Sequence, residues 1–158
     1  MQEIIIPDDG LLYKTSDGTP ILQISVVNDA TIFSLFSKYG NSRLTLLCHE
    51  SESGIHIGNA QKSIAFIASE TKNEMKFTNE NGKVTHLFHT TDSGGQVELC
   101  DDNENPIISL GVNSDSTGSF FIRNKNGDFL VALLQNNETG SIEIRDNDGT
   151  LVWSSYGG

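Results

Sequence analysis

The sequence predicts an all-β fold of tandem β-hairpins, and three observations predict it. A unit of about 22 residues recurs along the chain: Ser141–Ser155 (SIEIRDNDGTLVWSS), Ser119–Leu133 (SFFIRNKNGDFLVAL) and Glu74–Phe88 (EMKFTNENGKVTHLF) align with Gly149, Gly127 and Gly82 in the same place. Within each unit apolar and polar residues alternate, as Ile142 and Ile144 do with Glu143 and Arg145, which is the period-2 signature of a half-buried strand. No stretch shows capped 3.6-residue periodicity, so helix is expected to be nearly absent.

Extended backwards, the frame places turns at Gly18, Gly40, Gln61, Gly82, Asn105, Gly127 and Gly149, in steps of 22, 21, 21, 23, 22 and 22 residues. That makes about seven units. The first has the turn Ser16-Asp17-Gly18 and a returning strand with Ile21, Leu22 and Ile24; the second returns through Leu44, Leu46 and Leu47. Ile64, Phe66 and Ile67 follow in the third, and the fourth turns at Asn79-Glu80-Asn81-Gly82. Ile107, Ile108 and Leu110 return from the fifth turn. Asn124-Lys125-Asn126-Gly127 then leads into Phe129–Leu134, and Asp146-Asn147-Asp148-Gly149 into Leu151, Val152 and Trp153. Asn or Asp leading into Gly is hairpin chemistry, because Gly accepts positive φ without a Cβ penalty. Longer polar loops, such as Thr91-Asp92-Ser93-Gly94-Gly95 and Asn136-Asn137-Glu138-Thr139-Gly140, are expected to close each unit.

About 14 short strands joined this way form an antiparallel meander, expected to curl, split or close into a sandwich, barrel or prism. The alternative is a parallel β-solenoid with one repeat per coil. Asn-Gly turns favour the meander. Residues 1–158 are read as a single domain. The run Glu3–Ile6 (EIII) is a candidate edge cover or donated strand.

Ten Lys and Arg against 21 Asp and Glu give a net charge of −11, spread through the turns, which opposes nucleic acid and anionic membrane surfaces. No apolar run reaches membrane-spanning length, and the start MQEIIIPDDG lacks a secretory pattern. Cys48 and Cys100 sit at different points of the repeat, so free thiols in a reducing, cytoplasmic compartment are expected, or in a particle assembled there. Without a secretion signal, the Asn137-Glu138-Thr139 sequon carries little weight.

The residues suggest no catalytic constellation. His86-x-x-His89 has metal-like spacing, but an odd separation on a strand sends the side chains to opposite faces; His49 and His56 lie in other units. Asp101-Asp102-Asn103-Glu104 and Asp146-Asn147-Asp148-Gly149 look like fragments of calcium loops without the closing Glu. Asp8-Asp9 and Asp101-Asp102 are turn neighbours, not carboxylates facing across a cleft. No Gly-x-Ser-x-Gly elbow, reactive-cysteine signature or phosphate-cradling loop occurs. Accordingly no catalytic or metal-ligating residue and no cofactor is assigned, and no ligand-binding residue can be named.

Gly149–Ser155 (GTLVWSS) resembles a strand and turn of the bulb-type mannose-binding lectins, whose β-prism is also built from repeated short strands. The family's Gln-x-Asp-x-Asn-x-Val-x-Tyr run does not occur, so no sugar-binding residue carries over. Trp153 with Tyr156 could stack on a sugar, or anchor a core or interface. The expected function is a non-enzymatic structural or protein-interaction module in a self-associating fibre, spike, shell or adaptor, a homo-oligomer or bound to another protein. A carbohydrate-binding module is the alternative. Phe121, between Phe120 and Ile122, is the residue expected to need cover from a second sheet or subunit.

Overall fold

A computed structural model describes residues 10–59, 61–112, 115–136 and 139–156. The Glu3–Ile6 run, the Asp8-Asp9 pair, and Asn137 and Glu138 of the sequon lie outside them. Fourteen strands follow in chain order: β1 Leu11–Lys14, β2 Pro20–Val27, β3 Ala30–Phe36, β4 Ser42–Cys48, β5 Glu52–Gly58, β6 Ser63–Ser69, β7 Asn73–Thr78, β8 Val84–Thr91, β9 Gly94–Cys100, β10 Pro106–Val112, β11 Gly118–Arg123, β12 Phe129–Asn136, β13 Thr139–Arg145 and β14 Leu151–Tyr156. Every strand pairs antiparallel with its neighbours in sequence, from β1 at one edge to β14 at the other. The meander is therefore the architecture, and the parallel solenoid is excluded by the pairing. The sheet is one open layer; among the described residues β1 and β14 are its edges, and closure into a barrel, one of the outcomes expected, does not occur.

One family of turns recurs at one end of the strands. In Asn124–Asp128, the Gly127 N–H donates to Asn124 O at 3.0 Å and the Asn124 N–H to Asp128 O at 2.9 Å, which sets a β-bulge beside the turn. The leading side chain reinforces it: Asn124 Oδ1 accepts from the N–H groups of Asn126 and Asp128. Asn79, Asp101 and Asp146 repeat that pair of bonds in their own turns. The residue at positive φ is Gly18, Gly40, Gly82, Gly127 or Gly149, but in the fifth turn it is Glu104, at φ 66, and not Asn105. The third turn is tighter by one residue: Asn59 N–H reaches Lys62 O at 3.0 Å and β5 pairs β6 without a register shift. This tighter turn shortens the repeat to 21 residues around Gln61.

Both connections read as long polar loops at the other end are shorter than expected. Thr91 pairs with Gly94 and Asn136 with Thr139, so only two residues separate the strands. Asn28 and Asp29, at φ 49 and 64, make such a two-residue turn between β2 and β3, where both central residues must hold positive φ.

Register lines up the residues of each face across the whole sheet. One row runs Leu11, Ile24, Phe33, Leu46, Ile55, Phe66, Met75, Phe88, Val97, Leu110, Phe120, Leu133, Ile142 and Ser155. Two residues along each strand, a parallel row on the same face runs Tyr13, Leu22, Leu35, Leu44, Ile57, Ile64, Phe77, His86, Leu99, Ile108, Ile122, Val131, Ile144 and Trp153. Only Ser155 and His86 break the apolar and aromatic character of these 28 positions. Together the rows form a belt two residues wide and about 60 Å long, taking 4.8 Å per strand.

The other face is mixed. Its central row, from Leu12 through Ser34, His56, Lys76, Glu98, Ser109, Phe121, Ala132 and Glu143 to Ser154, is polar at nine of fourteen positions. Among the described residues those that are buried, Ser34, Ser109, Ala132 and Ser141, are all small and all on this face. On the belt, by contrast, Ile55, Phe66, Leu110 and Leu133 are exposed. A single layer cannot bury its own large side chains.

Candidate functional site

The belt is the feature that the fold builds at greatest length. Two open grooves run over it: one of about 870 Å³ beside Leu46, Ile55, Phe66, Met75 and Phe88, the other of about 820 Å³ beside Leu110, Phe120, Leu133 and Ile142. Phe77 is its best-supported aromatic residue. Its ring meets the His86 ring edge-on at 5.6 Å and lies 6.2 Å from that of Phe88. None of the 28 belt positions carries an Asp, Glu, Lys or Arg.

Charge gathers on the other face and in the turns. Glu74 Oε2 lies 2.8 Å from Lys76 Nζ, and Glu74 Oε1 lies 3.0 Å from Lys72 Nζ. Burial pushes this carboxyl up, but the two ammonium groups outweigh it and hold Glu74 below the usual carboxylate range. Arg145 pairs with Glu143 at 2.9 Å, and Arg123 donates to the Ser109 hydroxyl. Phe121 stands in this face, stacked 4.7 Å from Phe129 with the Arg123 guanidinium over both rings. Phe121, expected to need cover from a second sheet or subunit, has local contacts from Phe129 and Arg123, while Phe120 stands on the belt; both are half-buried.

Along the bulged-turn end, Glu104 links two hairpins. Its Oε1 accepts from the Val84 N–H at 3.0 Å and its Oε2 lies 3.4 Å from Lys83 Nζ. The Val84 bond first, then Lys83, lowers the Glu104 pKa. Asp101 is lowered chiefly by the Asn105 N–H, and Asp17 by the Thr15 hydroxyl and then the Thr19 N–H. A carboxyl lowered by folding stabilises the native state above its unfolded pKa, and that contribution is lost as pH falls through the folded value. The urea midpoint should therefore hold near pH 5 and fall progressively below about pH 4, with Asp101→Asn flattening part of that fall. Equal midpoints at pH 5 and pH 3 would contradict this.

The sequence candidates scatter. His86 lies on the belt and His89 on the opposite face beside Glu74, while His49 sits in a turn against Ser51 and His56 pairs across from Thr45 and Ala65. Among the described residues no three His, Cys, Asp or Glu groups gather as metal ligands. Cys48 ends β4 at the short-turn end and Cys100 ends β9 at the bulged-turn end, both as free thiols. Burial first, then Glu98, Asp101 and Glu104, pushes the Cys100 thiol up and keeps it protonated. Trp153 edges the belt, whereas Tyr156 pairs with Ser141 on the opposite face, so the two do not share a stacking platform. No helix among the described residues is long and apolar enough to cross a membrane. What sequence reasoning missed is the belt itself, although the apolar residues composing it were visible one strand at a time. Compared with known proteins, the chain matches no family model and no curated protein.

Proposed function

We propose that this chain is a non-enzymatic structural or protein-interaction module whose working surface is the belt. One observation carries the reading: 26 of 28 belt positions are apolar or aromatic and none is charged, while polar groups crowd the other face. Chance alternation does not keep one face apolar through thirteen consecutive hairpin registers. An apolar patch of this length far exceeds what soluble monomers leave wet. The carbohydrate alternative finds less support, since its two aromatic candidates, Trp153 and Tyr156, face opposite ways.

Hydroxyl-radical footprinting in the cells that make the protein tests this reading. Phe66, Phe88 and Leu110 should label slowly, while Tyr39 and Tyr156, exposed and off the belt, label freely. Labelling of the belt in proportion to its exposure on a lone sheet would sink the proposal.

A further inference from the structure

We propose that the occupant of the belt is a second copy of this chain, the two sheets packed belt to belt. The inference rests on the reading of the belt as a working surface and names its partner. Area is the first argument. A folded monomer of 17.2 kDa exposes about 7,800 Å² by the usual scaling with mass, whereas this chain exposes 10792 Å². The excess is about 3,000 Å² per chain, or about 6,000 Å² for a pair, which is the scale of the largest obligate interfaces. Packing one belt on another supplies that cover in a single contact and turns a single layer into a two-layer core.

Electrostatics is the second. At a net charge of −11 the protein repels anionic lipid and also its own copies, except along an approach that brings no charge together. The belt, uncharged from Leu11 to Trp153, offers that approach. Lys76, Glu98 and Glu143 stay on the outer, wet faces.

Periodicity is the third. The belt repeats with the strand spacing, and a surface with the same spacing and twist fits its ridges and grooves along the full length. A copy of the same sheet has both by construction. Such a contact is isologous and closes on itself.

Sedimentation of the purified protein tests the inference. At about 10 µM the native chain should sediment with at least twice its monomer mass, and Phe66→Asp should weaken association roughly 100-fold or more. Tyr39→Asp, in an exposed turn, should leave the mass unchanged. Should Phe66→Asp fail to fold, footprinting of the native protein across a dilution series decides: Phe88, Leu110 and Leu133 should label faster once the assembly dissociates. A folded monomer at every concentration overturns the proposal, as does an oligomer whose belt labels freely while β1 and β14 are protected. A purified monomer whose belt is nonetheless protected in cells means another protein is the partner, which refutes the second copy and leaves the interaction module standing. A belt open in cells refutes both.

Discussion

Gly58→Ala is expected to lower the unfolding free energy by about 3 kcal/mol, the sum of backbone strain and a steric clash. Gly58 holds φ at 133°, where side chains are rarely tolerated, and a Cβ there would lie 2.2 Å from Lys62 O and 2.7 Å from Ser63 Cα. Both obstacles are backbone, so no rotamer change relieves them. Gly127 supplies the contrast: at φ 90° it meets nothing within 4 Å, so a side chain there suffers the dihedral strain alone. The difference follows from the turns, since β5 and β6 join through the tighter Asn59–Lys62 connection without a bulge. Urea unfolding at fixed protomer concentration measures it. A loss under about 1 kcal/mol would mean that the β5–β6 hairpin relaxes freely and that its register is weakly held.

Phe77→Ala should cost about 2 kcal/mol, less than the 3–5 typical of a fully buried Phe because the belt leaves part of the ring uncovered within one chain. The ring sits between Ile64 and His86 across the strands and leans on Phe88, so its loss opens a gap in the middle of one belt row and removes a neighbour from the other. Phe77→Leu should recover more than half of that loss, because it keeps the apolar bulk and removes only the aromatic geometry. Equal unfolding midpoints for native and Ala proteins would show that the belt contributes nothing at β7. That outcome would also remove the reason to seek a partner for it.

Much of this architecture is legible in the chain because each hairpin is specified locally. Asn79-Glu80-Asn81-Gly82 and its relatives encode their turns in four residues, and strand alternation fixes which neighbours share a face. The fifth turn lies one residue before the position that the Gly spacing predicts, because Glu104 stands where Gly does elsewhere; the alignment of Asp101 with Asn124 and Asp146 marks it. At the other end, the turn residues Asp92 and Ser93 read like a long loop because Thr91, Gly94 and Gly95, which extend the strands, are also loop-forming types. The belt was hidden for a different reason. Phe120 and Phe121 look equivalent in sequence, and only the accumulated register of every hairpin puts one on a continuous apolar face and the other beneath Arg123. Nor could closure be read, since it depends on the curvature of the whole sheet and no single unit encodes it.

Because every strand bonds only to its predecessor and successor, the two ends of the described chain leave from opposite margins of the sheet. A tensile load applied through those ends would fall on one outermost ladder at a time. Its hydrogen bonds would open singly, as a zip fastener does, and not shear together as they would if the first and last strands were paired. Each yielding hairpin of about 22 residues would pay out about 70 Å of chain before the next one bore the load. A lone sheet of this kind is therefore compliant lengthwise, and a second surface packed on the belt would stiffen it.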